Sequence, residues 1–384
     1  MRILYGVVGE GMGHATRSRV VLEMLLAGGH VVRVVVSGRA HNFLRQSFAS
    51  RTGIAIEEIH GLHLSYNGNA LDLGESLVTN LEEAPAGLAK NIAVYQKVAE
   101  DGFKPELVVS DFESWAYLYG RNHRLPVISI DNMQVINRCL IPAVVTGDES
   151  FDAWLAKWAV KMKLPGAYHY LVTSFFFPKV RKKRTTLVPP ILRPEILAAR
   201  REPGEHVLVY QTAASNSELV PVLNKLNYRF KVYGMRREGV EGNVTLCAFS
   251  PIGFVDDLRT ARAVIAGGGY SLMGEAVHLH VPMLSLPIEG QYEQVLNARY
   301  LAQLGYGGWA KALDVGTVEG FLARTDEFSE ELERYEPRDN SMLEGCLSEI
   351  LSLADIGAPR PDRLSSPAMG RFDDPSLPEE PSLF

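Results

Sequence analysis

Cysteine is scarce in this sequence, and there is neither a long apolar run nor an excess of positive charge. The 384 residues include three cysteines, Cys139, Cys247 and Cys346, which are far apart along the chain. They form no closely spaced pair, which excludes a disulfide framework and a thiolate zinc site. Such sparse cysteines are typical of a reducing compartment, so we expect a cytoplasmic protein.

Charge and hydropathy exclude two further classes of protein. The formal net charge of −6 argues against a general nucleic-acid binder, because phosphate-binding domains usually carry a basic excess. No apolar stretch reaches the roughly 20 residues that a membrane-spanning helix needs. The N-terminal text MRILYGVVGEG has a single basic residue and a short apolar run, which predicts a strand rather than a signal peptide. Any membrane association is therefore expected to be peripheral, at the inner face.

Short β-branched runs alternate with segments of helical periodicity along most of the chain. The runs RILYGVV and HVVRVVV flank residues 14–27, whose apolar side chains recur at helical spacing, so the three segments predict a βαβ unit. The same alternation restarts after a proline-rich stretch around Pro189 and Pro190. We therefore predict an α/β protein with two doubly wound, Rossmann-like domains that face a cleft.

The domain boundaries follow from the same pattern. We expect a first domain over residues 1–188, a linker over residues 189–204 and a second domain over residues 205–355. From residue 356 onward the sequence is rich in proline, serine and charged residues and has no hydrophobic periodicity. This composition predicts a disordered tail over residues 356–384.

The stretch VVGEGMGHATRS is rich in glycine but is neither a dinucleotide fingerprint nor a phosphate loop. His14 occupies the last expected glycine position, the second strand ends without the acidic residue that binds a ribose, and no Lys-Ser or Lys-Thr follows. Gly9, Gly11 and Gly13 instead let another molecule approach the backbone. His14, expected to open the following helix, then points into the cleft above the sheet.

Asp111, at the end of the strand-like run ELVVSD, is the candidate partner of His14. A helix N-terminus disfavours the imidazolium, so His14 is expected to be neutral and able to accept a proton near pH 7. Asp111 would then hold the other ring nitrogen and stabilise the imidazolium that forms. The alternative is structural: His14 caps its helix or binds a phosphate, and Asp111 caps the helix that begins at Glu113. The local sequence favours neither interpretation.

A second glycine cluster, residues 267–269, follows the apolar run AVIA and precedes a helix. Its backbone N–H groups and the helix dipole make an anion site that suits a diphosphate. Ser271 adds a hydroxyl, and Glu275, one turn further along the same face, can accept hydrogen bonds from two ribose hydroxyls. Polar residues that can bind sugar hydroxyls open the next helix: Glu293, Gln294 and Asn297.

These segments resemble the inverting, nucleotide-sugar-dependent glycosyltransferases of the GT-B fold. The text GGGYSLMGEA, VPMLSLP and EQVLNA is similar to the donor signature of the branch that includes macrolide and plant glucosyltransferases and the peptidoglycan N-acetylglucosaminyltransferase. The resemblance covers residues 1–355. It implies an acceptor-binding first domain, a donor-binding second domain and no cofactor beyond the nucleotide sugar, a UDP-sugar, as co-substrate.

The resemblance also implies roles for individual residues. His14 matches the catalytic histidine and Asp111 its carboxylate partner. GFVDDL is similar to the segment that holds the uracil, which implies Phe254 and Val255 as base contacts. The donor-binding set further includes the glycines of each cluster and, by position, the loop YQTAASN: Gly11, Gly13, Gly267, Gly268, Gly269, Thr212, Ser215 and Asn216.

Two departures from the family pattern concern the donor. Ala266 stands where many members have His or Ser, so one diphosphate contact is either missing or supplied by the backbone. Glu293 replaces the usual Asp, which leaves room for a different donor sugar. A D-x-D metal motif is absent from the expected place, and Asp256 and Asp257 are expected to cap a helix, so we expect no metal.

Two segments, ESFDAWLAKWAVKMK and FFFPKVRKKR, combine aromatic and basic residues as membrane-surface segments do. A lipid-linked acceptor fits this pattern, and a small-molecule acceptor remains an alternative. The favoured interpretation is structural: Trp154, Leu155 and Trp158 have helical spacing and form core or the wall of an acceptor pocket, and residues 175–177 end a buried strand.

Two other functions share the predicted fold. A nucleotide-sugar 2-epimerase binds the same donor but needs additional carboxylates around the sugar, and no corresponding set is evident. A non-catalytic nucleotide-sugar-binding protein keeps the pocket without the chemistry, and the presence of both His14 and Asp111 argues against it. The expected function is transfer of a hexosyl group from a nucleotide diphosphate to an acceptor hydroxyl, with inversion and without a metal.

Overall fold

The computed structural model describes residues 1–9, 11–61, 65–67, 70–147, 151–211, 218–248 and 250–365, with only the backbone described at 65–67 and 70–81. Three predicted donor-binding residues lie outside the described residues: Thr212, Ser215 and Asn216.

The first half of the chain builds a seven-stranded parallel sheet in the order β3-β2-β1-β6-β7-β8-β9. A small antiparallel pair, β4 and β5, precedes the third helix. The strands of this half are β1 (Arg2–Val7), β2 (Val31–Val36), β3 (Ile54–Glu58), β4 (Ser65–Asn67), β5 (Ala70–Asp72), β6 (Leu107–Asp111), β7 (Val127–Asp131), β8 (His169–Thr173) and β9 (Thr185–Val188). The helices are α1 (Met12–Ala27), α2 (Gly38–Ser47), α3 (Leu73–Glu100), α4 (Ser114–Asn122), α5 (Val135–Arg138), α6 (Ala143–Thr146) and α7 (Phe151–Lys163).

The second half builds another seven-stranded sheet in the order β12-β13-β11-β10-β14-β15-β16, in which the edge strand β12 is antiparallel to β13. Its strands are β10 (Val207–Tyr210), β11 (Phe230–Tyr233), β12 (Gly239–Glu241), β13 (Val244–Cys247), β14 (Ala263–Ala266), β15 (Met283–Ser285) and β16 (Gly307–Trp309). The helices are α8 (Pro194–Leu197), α9 (Leu219–Leu223), α10 (Pro251–Thr260), α11 (Tyr270–His278), α12 (Tyr292–Gln303), α13 (Val315–Leu322), α14 (Thr325–Leu332) and α15 (Ser341–Asp355).

Both sheets are doubly wound, which confirms the predicted fold class. The central strands are buried on both faces, as their continuous runs of apolar residues indicate. In each sheet the strand order reverses beside the first strand, between β1 and β6 and between β10 and β14. Ligands of open α/β sheets bind at the carboxyl ends of the strands at such switch points, so each sheet offers one site there.

The C-terminal helix does not follow the predicted boundary. The sequence places α15 in a second domain over residues 205–355, but the structure packs it against the first sheet. Its apolar stripe, which includes Met342 and Ile350, lies in the same buried cluster as Ile3 and Val109. The helix crosses back because that stripe finds its apolar cover on the first half of the chain.

The first ten residues of the predicted disordered tail also contact the first half. The backbone N–H of Arg184 donates to the carbonyl of Asp362 at 2.8 Å, and Leu364 is buried in the first core. Over residues 356–365 the prediction of disorder is therefore wrong, because local composition does not show a docking partner. Residues 366–384 lie outside the described residues.

The helices offer no candidate for a transmembrane segment. Across the described ranges, none of them combines the length and the apolar composition needed to cross a bilayer.

Candidate active site

The glycine turn after β1 lies against the second half of the chain. Gly11 has a φ of 84°, a conformation that glycine adopts without strain, and α1 begins at Met12 rather than at the predicted His14. A Cβ on Gly13 would come within 2.7 Å of the Ser271 hydroxyl, which donates to the Gly13 carbonyl at 3.1 Å. The absence of a side chain at Gly13 therefore lets the start of α1 approach the start of α11.

The structure places His14 beside Asp111. His14 Nδ1 lies 2.8 Å from Asp111 Oδ1, and the two side chains are 19% and 1% exposed. The structural alternative for Asp111 is not realised, because Glu113 caps α4 by accepting from the backbone N–H groups of Trp115 and Ala116. The carboxylate at the end of β6 is thus available to the histidine.

Arg17, which sequence reasoning missed, also binds Asp111. Its Nε donates to Asp111 Oδ2 at 2.9 Å and its Nη2 to Oδ1 at 2.5 Å, while the Ser18 hydroxyl donates to Oδ2 at 2.9 Å. Arg17 is almost completely buried. The sequence did contain an indication that Arg17 belongs to the site. Arg17 follows His14 by three residues on α1, so both side chains lie on one face of the helix.

Burial and these charges set the protonation of the pair. Burial acts to raise the pKa of Asp111, but the Arg17 guanidinium and the His14 ring outweigh it and hold that pKa well below its ordinary value. Burial, and then the charge of Arg17, lower the pKa of His14, and Asp111 offsets this only in part. His14 is therefore neutral near pH 7. Burial and a neighbouring cation thus lower the pKa of His14, whereas the sequence had suggested the helix dipole as the cause.

The second glycine turn, between β14 and α11, is held against α12. The Gly268 N–H donates to Gln294 Oε1 at 3.0 Å, and Asn297 Nδ2 donates to the Gly268 carbonyl at 3.2 Å. A Cβ on Gly268 would come within 2.5 Å of the Gln294 carbonyl oxygen. The structure thus brings Gly268, Gln294 and Asn297 together, with Gly267 and Gly269 on either side of Gly268.

A chain of polar contacts joins the two halves across the cleft. Arg17 Nη1 donates to Asn132 Oδ1 at 2.9 Å, and Asn132 Nδ2 donates to Glu293 Oε1 at 2.6 Å. Asn297 Nδ2 donates to the same Glu293 oxygen at 2.7 Å. Sequence reasoning missed Asn132, although it directly follows β7 and so lies at the ligand-binding edge of the first sheet.

Glu275 is paired with an arginine that sequence reasoning also missed. Arg193, in the predicted linker, donates from Nε to Glu275 Oε1 at 2.7 Å and from Nη2 to Oε2 at 2.8 Å. The two side chains are 10% and 9% exposed. A partly desolvated bidentate pair of this kind holds the carboxylate in a fixed orientation.

The predicted base contacts lie next to this pair but are themselves buried. The Arg193 guanidinium carbon lies 5.8 Å from the centre of the Phe254 ring, which also packs edge-to-face with Tyr210 and Tyr233. Phe254 and Val255 are buried. Their side chains therefore belong to a core cluster of the protein.

Asp256 and Asp257 do not cap a helix, so that prediction is wrong. Ser250 caps α10 by accepting from the Gly253 N–H at 3.2 Å. Asp257 accepts a hydrogen bond from the Tyr233 hydroxyl at 2.6 Å and pairs with Lys231. Asp257 therefore ties α10 to β11. Within the described ranges, no group of three or more His, Cys, Asp or Glu side chains is arranged to hold a metal.

The aromatic residues of α7 are not core. Trp154, Leu155 and Trp158 are exposed, so the prediction that they form core is wrong, and their alternative place in the wall of an acceptor pocket stays a prediction. Helical spacing identified one face of α7 correctly but did not show whether that face points inward. Phe175 and Phe176 are buried, as predicted, but they do not end a strand, because β8 ends at Thr173 and residues 175–177 follow it outside the sheet.

Two doubly wound sheets whose glycine turns meet across a cleft define the class of GT-B glycosyltransferases. The structure of Phytolacca americana UGT2 complexed with UDP-2fluoro-glucose and pterostilbene matches with a TM-score of 0.64 at 14% identity, over 91% of this chain and 98% of that one. The glycotransferase of kitacinnamycin matches with a TM-score of 0.61 at 18% identity, over 92% and 97%. At such identities the likeness establishes the fold.

The sequence model of Glycosyl transferase family 1 matches residues 1–326, and the chain belongs to this family. Among its relatives, an uncharacterized glycosyltransferase of Methanosarcina acetivorans is 26% identical over 336 residues, which are 80% of this chain and 85% of the relative. A second from the same organism is 24% identical over 379 residues, 91% and 93% of the two chains. The resemblance to GT-B glycosyltransferases is thus confirmed, and the protein is a transferase.

Proposed function

We propose that this protein transfers a hexosyl group from a UDP-sugar to an acceptor hydroxyl, with inversion and without a metal. One observation carries the proposal: the His14–Asp111 pair stands directly opposite the second glycine turn. Gly13, the residue before His14, accepts a hydrogen bond from Ser271, which lies in the first turn of α11. A base and an anion site are therefore in contact across the cleft.

The diphosphate is assigned to the space where α1 and α11 begin. The first backbone N–H groups of each helix have no intrahelical partner, and both helix dipoles direct their positive ends there. The turn at 267–269 and the residues Gly11, Gly13 and Ser271 surround this space. Two helix N-termini in contact favour an anion more than one does, which compensates for Ala266 at the position of a family hydroxyl or imidazole.

The nucleoside is assigned to Glu275 and Arg193. A carboxylate has about four acceptor positions, of which the bidentate contact with Arg193 uses two, so Glu275 retains positions for two ribose hydroxyls. Because Phe254 and Val255 are buried, we assign recognition of the base to backbone atoms of their segment. The predicted phosphate contacts of Thr212, Ser215 and Asn216 remain predictions.

The transferred sugar is assigned to Glu293, Gln294 and Asn297. Asn132 and Asn297 both donate to Glu293 Oε1. This arrangement leaves Glu293 Oε2 to accept from a sugar hydroxyl. Because Asn132 belongs to the first half of the chain, the sugar site contains residues of both halves.

The tautomer of His14 decides its role. Nδ1 lies 2.8 Å from Asp111 Oδ1 and 2.6 Å from Arg17 Nη2, and it can donate to the first or accept from the second. Arg17 Nη2 already donates to Asp111, and a hydrogen bond to an ionised carboxylate is the stronger of the two. We therefore assign the proton to Nδ1, which leaves Nε2 as the acceptor that a general base needs.

The reaction is then a single in-line displacement. As the acceptor oxygen attacks the anomeric carbon, its proton passes to His14 Nε2 and the new carbon–oxygen bond forms. The bond between the anomeric carbon and the diphosphate oxygen breaks, and its electron pair leaves with UDP. Asp111 stabilises the imidazolium, and the two helix N-termini stabilise the departing diphosphate. Attack from the face opposite the leaving group inverts the anomeric centre.

The binding proposal is tested by calorimetric titration with UDP, TDP, GDP and NAD in the presence of EDTA. We expect micromolar affinity for UDP and at least a tenfold loss in Glu275→Gln, because the loss of a charged hydrogen bond to a ligand costs about 1.5–3 kcal/mol. The matched control is Glu195→Gln, which removes a carboxylate that pairs with Arg19 at the partly exposed start of α8. Binding of NAD alone, or equal affinities in Glu275→Gln and the wild type, would overturn the donor assignment.

The chemistry is tested by product analysis with a panel of UDP-sugars and with water as the acceptor. A transferase releases UDP and a free sugar of inverted anomeric configuration, whereas an epimerase yields an isomeric UDP-sugar. We expect His14→Ala to abolish UDP release while UDP affinity is retained. Undiminished UDP release in His14→Ala would exclude His14 as the base.

A further inference from the structure

Helix α7 turns its bulky apolar side chains away from the protein. Phe151, Trp154, Leu155, Trp158 and Met162 are 71%, 60%, 43%, 53% and 55% exposed. Their spacing of 0, 3, 4, 7 and 11 positions places them on one face of the helix. This face forms a continuous apolar stripe in contact with solvent.

The stripe lies opposite the side by which α7 is attached. Ala153 and Val160 are the buried residues of the helix, and a rotation of about 100° per residue places them on the far side from Trp154 and Trp158. The helix thus packs through small and medium side chains and exposes its tryptophans. Contiguous exposed apolar patches mark surfaces that contact another molecule or a membrane.

Positive charge borders the stripe. Lys157 and Lys161 are exposed on one flank of α7, and Asp152 is the helix's single acidic residue. The neighbouring segment after Phe177 contributes Arg181 and Lys182. Arg181 and Lys182 both bind Asn137 of α5, which packs against α7, and burial followed by the charges of Arg181, Arg138, Lys161 and Lys157 lowers the pKa of Lys182 to about 8. The protein as a whole carries a net charge of −6, so this cationic border is local.

We propose that the α7 stripe docks on an anionic lipid bilayer. Tryptophan and phenylalanine occupy the boundary between headgroups and acyl chains, and lysines on the flank of an interfacial helix contact anionic headgroups while their stems cover apolar surface. The combination of an outward aromatic stripe and a one-sided cationic border matches this partner. An apolar protein partner would not require the cationic border.

The C-terminal end of α7 lies near the proposed catalytic pair. The ammonium of Lys163, the last residue of α7, lies 4.1 Å from the centre of the Phe112 ring, and Phe112 directly follows Asp111. The helix that carries the stripe along its outer face therefore ends beside the residue that follows Asp111. On the basis of the proposed function, this placement assigns the acceptor hydroxyl to a lipid-linked molecule.

Vesicle co-sedimentation tests the docking surface. The full-length protein is mixed with vesicles of phosphatidylcholine and phosphatidylglycerol, and separately with vesicles of phosphatidylcholine alone. We expect binding to the anionic vesicles that decreases with added salt, and roughly a tenfold or greater loss in both Trp154→Ser/Trp158→Ser and Lys157→Glu/Lys161→Glu. The matched controls are Leu118→Ser/Ile356→Ser, which alters two equally exposed apolar residues, and Lys225→Glu/Lys311→Glu, which makes the same charge change elsewhere.

Three outcomes would overturn the proposal: no binding to anionic vesicles, equal losses in the control variants, or self-association in solution that Trp154→Ser/Trp158→Ser abolishes. The last outcome would identify a second copy of the chain as the occupant. Intrinsic fluorescence adds a direct readout, because two of the four tryptophans lie on the stripe. Calorimetry with UDP in the absence of vesicles shows separately whether the donor site is intact, so failure of the docking surface and failure of the proposed function are distinguishable.

Discussion

Strands β6 and β14 occupy the same place in the two sheets, each directly beside the first strand of its half, yet they end in opposite chemistry. β6 ends in Asp111, a buried carboxylate. β14 ends in Ala266 and is followed by three glycines, of which Gly268 donates its N–H to Gln294 Oε1. The same topological position therefore supplies a negative charge in one half and the proposed anion site in the other.

The difference shows what each kind of site requires from its surroundings. A buried carboxylate needs a charged partner and further hydrogen bonds, and the first half supplies Asp111 with the charge of Arg17 and with hydrogen bonds from Ser18 and His14. The proposed backbone anion site needs close approach rather than charge, and at Gly268 α12 packs against the turn without a side chain between them. The first site depends on ion pairing and the second on packing.

The largest effect should come from breaking the ion pairing in the first half. Asp111→Asn leaves the buried guanidinium of Arg17 without its carboxylate, and we expect the free energy of unfolding to fall by about 3–5 kcal/mol. Urea denaturation measures it. The control is Glu106→Gln, which breaks the exposed pair with Arg2 and should cost no more than about 1 kcal/mol. Equal losses in the two variants would show that Asp111 is not held mainly by ion pairing.

A smaller effect should come from breaking the packing in the second half. Gly268→Ala brings a Cβ within 2.5 Å of the Gln294 carbonyl oxygen, and we expect a loss of about 1–3 kcal/mol as α12 is displaced. Gly269→Ala is the matched control, because no atom lies within 4 Å of the added Cβ and the backbone φ is −64°. Thermal unfolding compares the two variants. Equal stability of both would contradict the role assigned to close packing.

The smallest effect concerns the pH dependence of the first half. The pKa of His14 is lower in the folded protein than in the unfolded chain, so between these two values the unfolded chain binds more protons. Stability therefore falls as the pH decreases below about 6.5. His14→Gln should show a smaller fall than the wild type in denaturation series from neutral to mildly acidic pH. An unchanged slope would indicate that Arg17 and burial do not depress the pKa of His14.

Several features of the site were accessible from the sequence because each of their parts belongs to a glycine cluster or ends a strand-like run that can be identified locally, although His14 and Asp111 are 97 positions apart. The glycine positions, the histidine after Gly13 and the carboxylate at the end of ELVVSD identified both turns and the His14–Asp111 pair. The pairing of Glu275 with Arg193 was not accessible, because Arg193 lies in a proline-rich linker whose local sequence does not indicate what it contacts. The cap of α4 was assigned to Asp111 as one alternative, whereas Glu113, two residues later, fills that position.

By itself, then, the sequence determined the alternation of strands and helices, the two doubly wound sheets and the places of the two glycine turns. Hydrophobic periodicity and turn-forming residues extend over only a few positions, so the secondary structure that they produce can be predicted from the local sequence. Only the tertiary structure decided that α15 crosses back to the first sheet, that Arg17 and Arg193 neutralise the two buried carboxylates, and that the aromatic face of α7 points outward. Each of these depends on which surfaces and charges meet after the chain has folded, and such contacts join residues that the sequence keeps far apart.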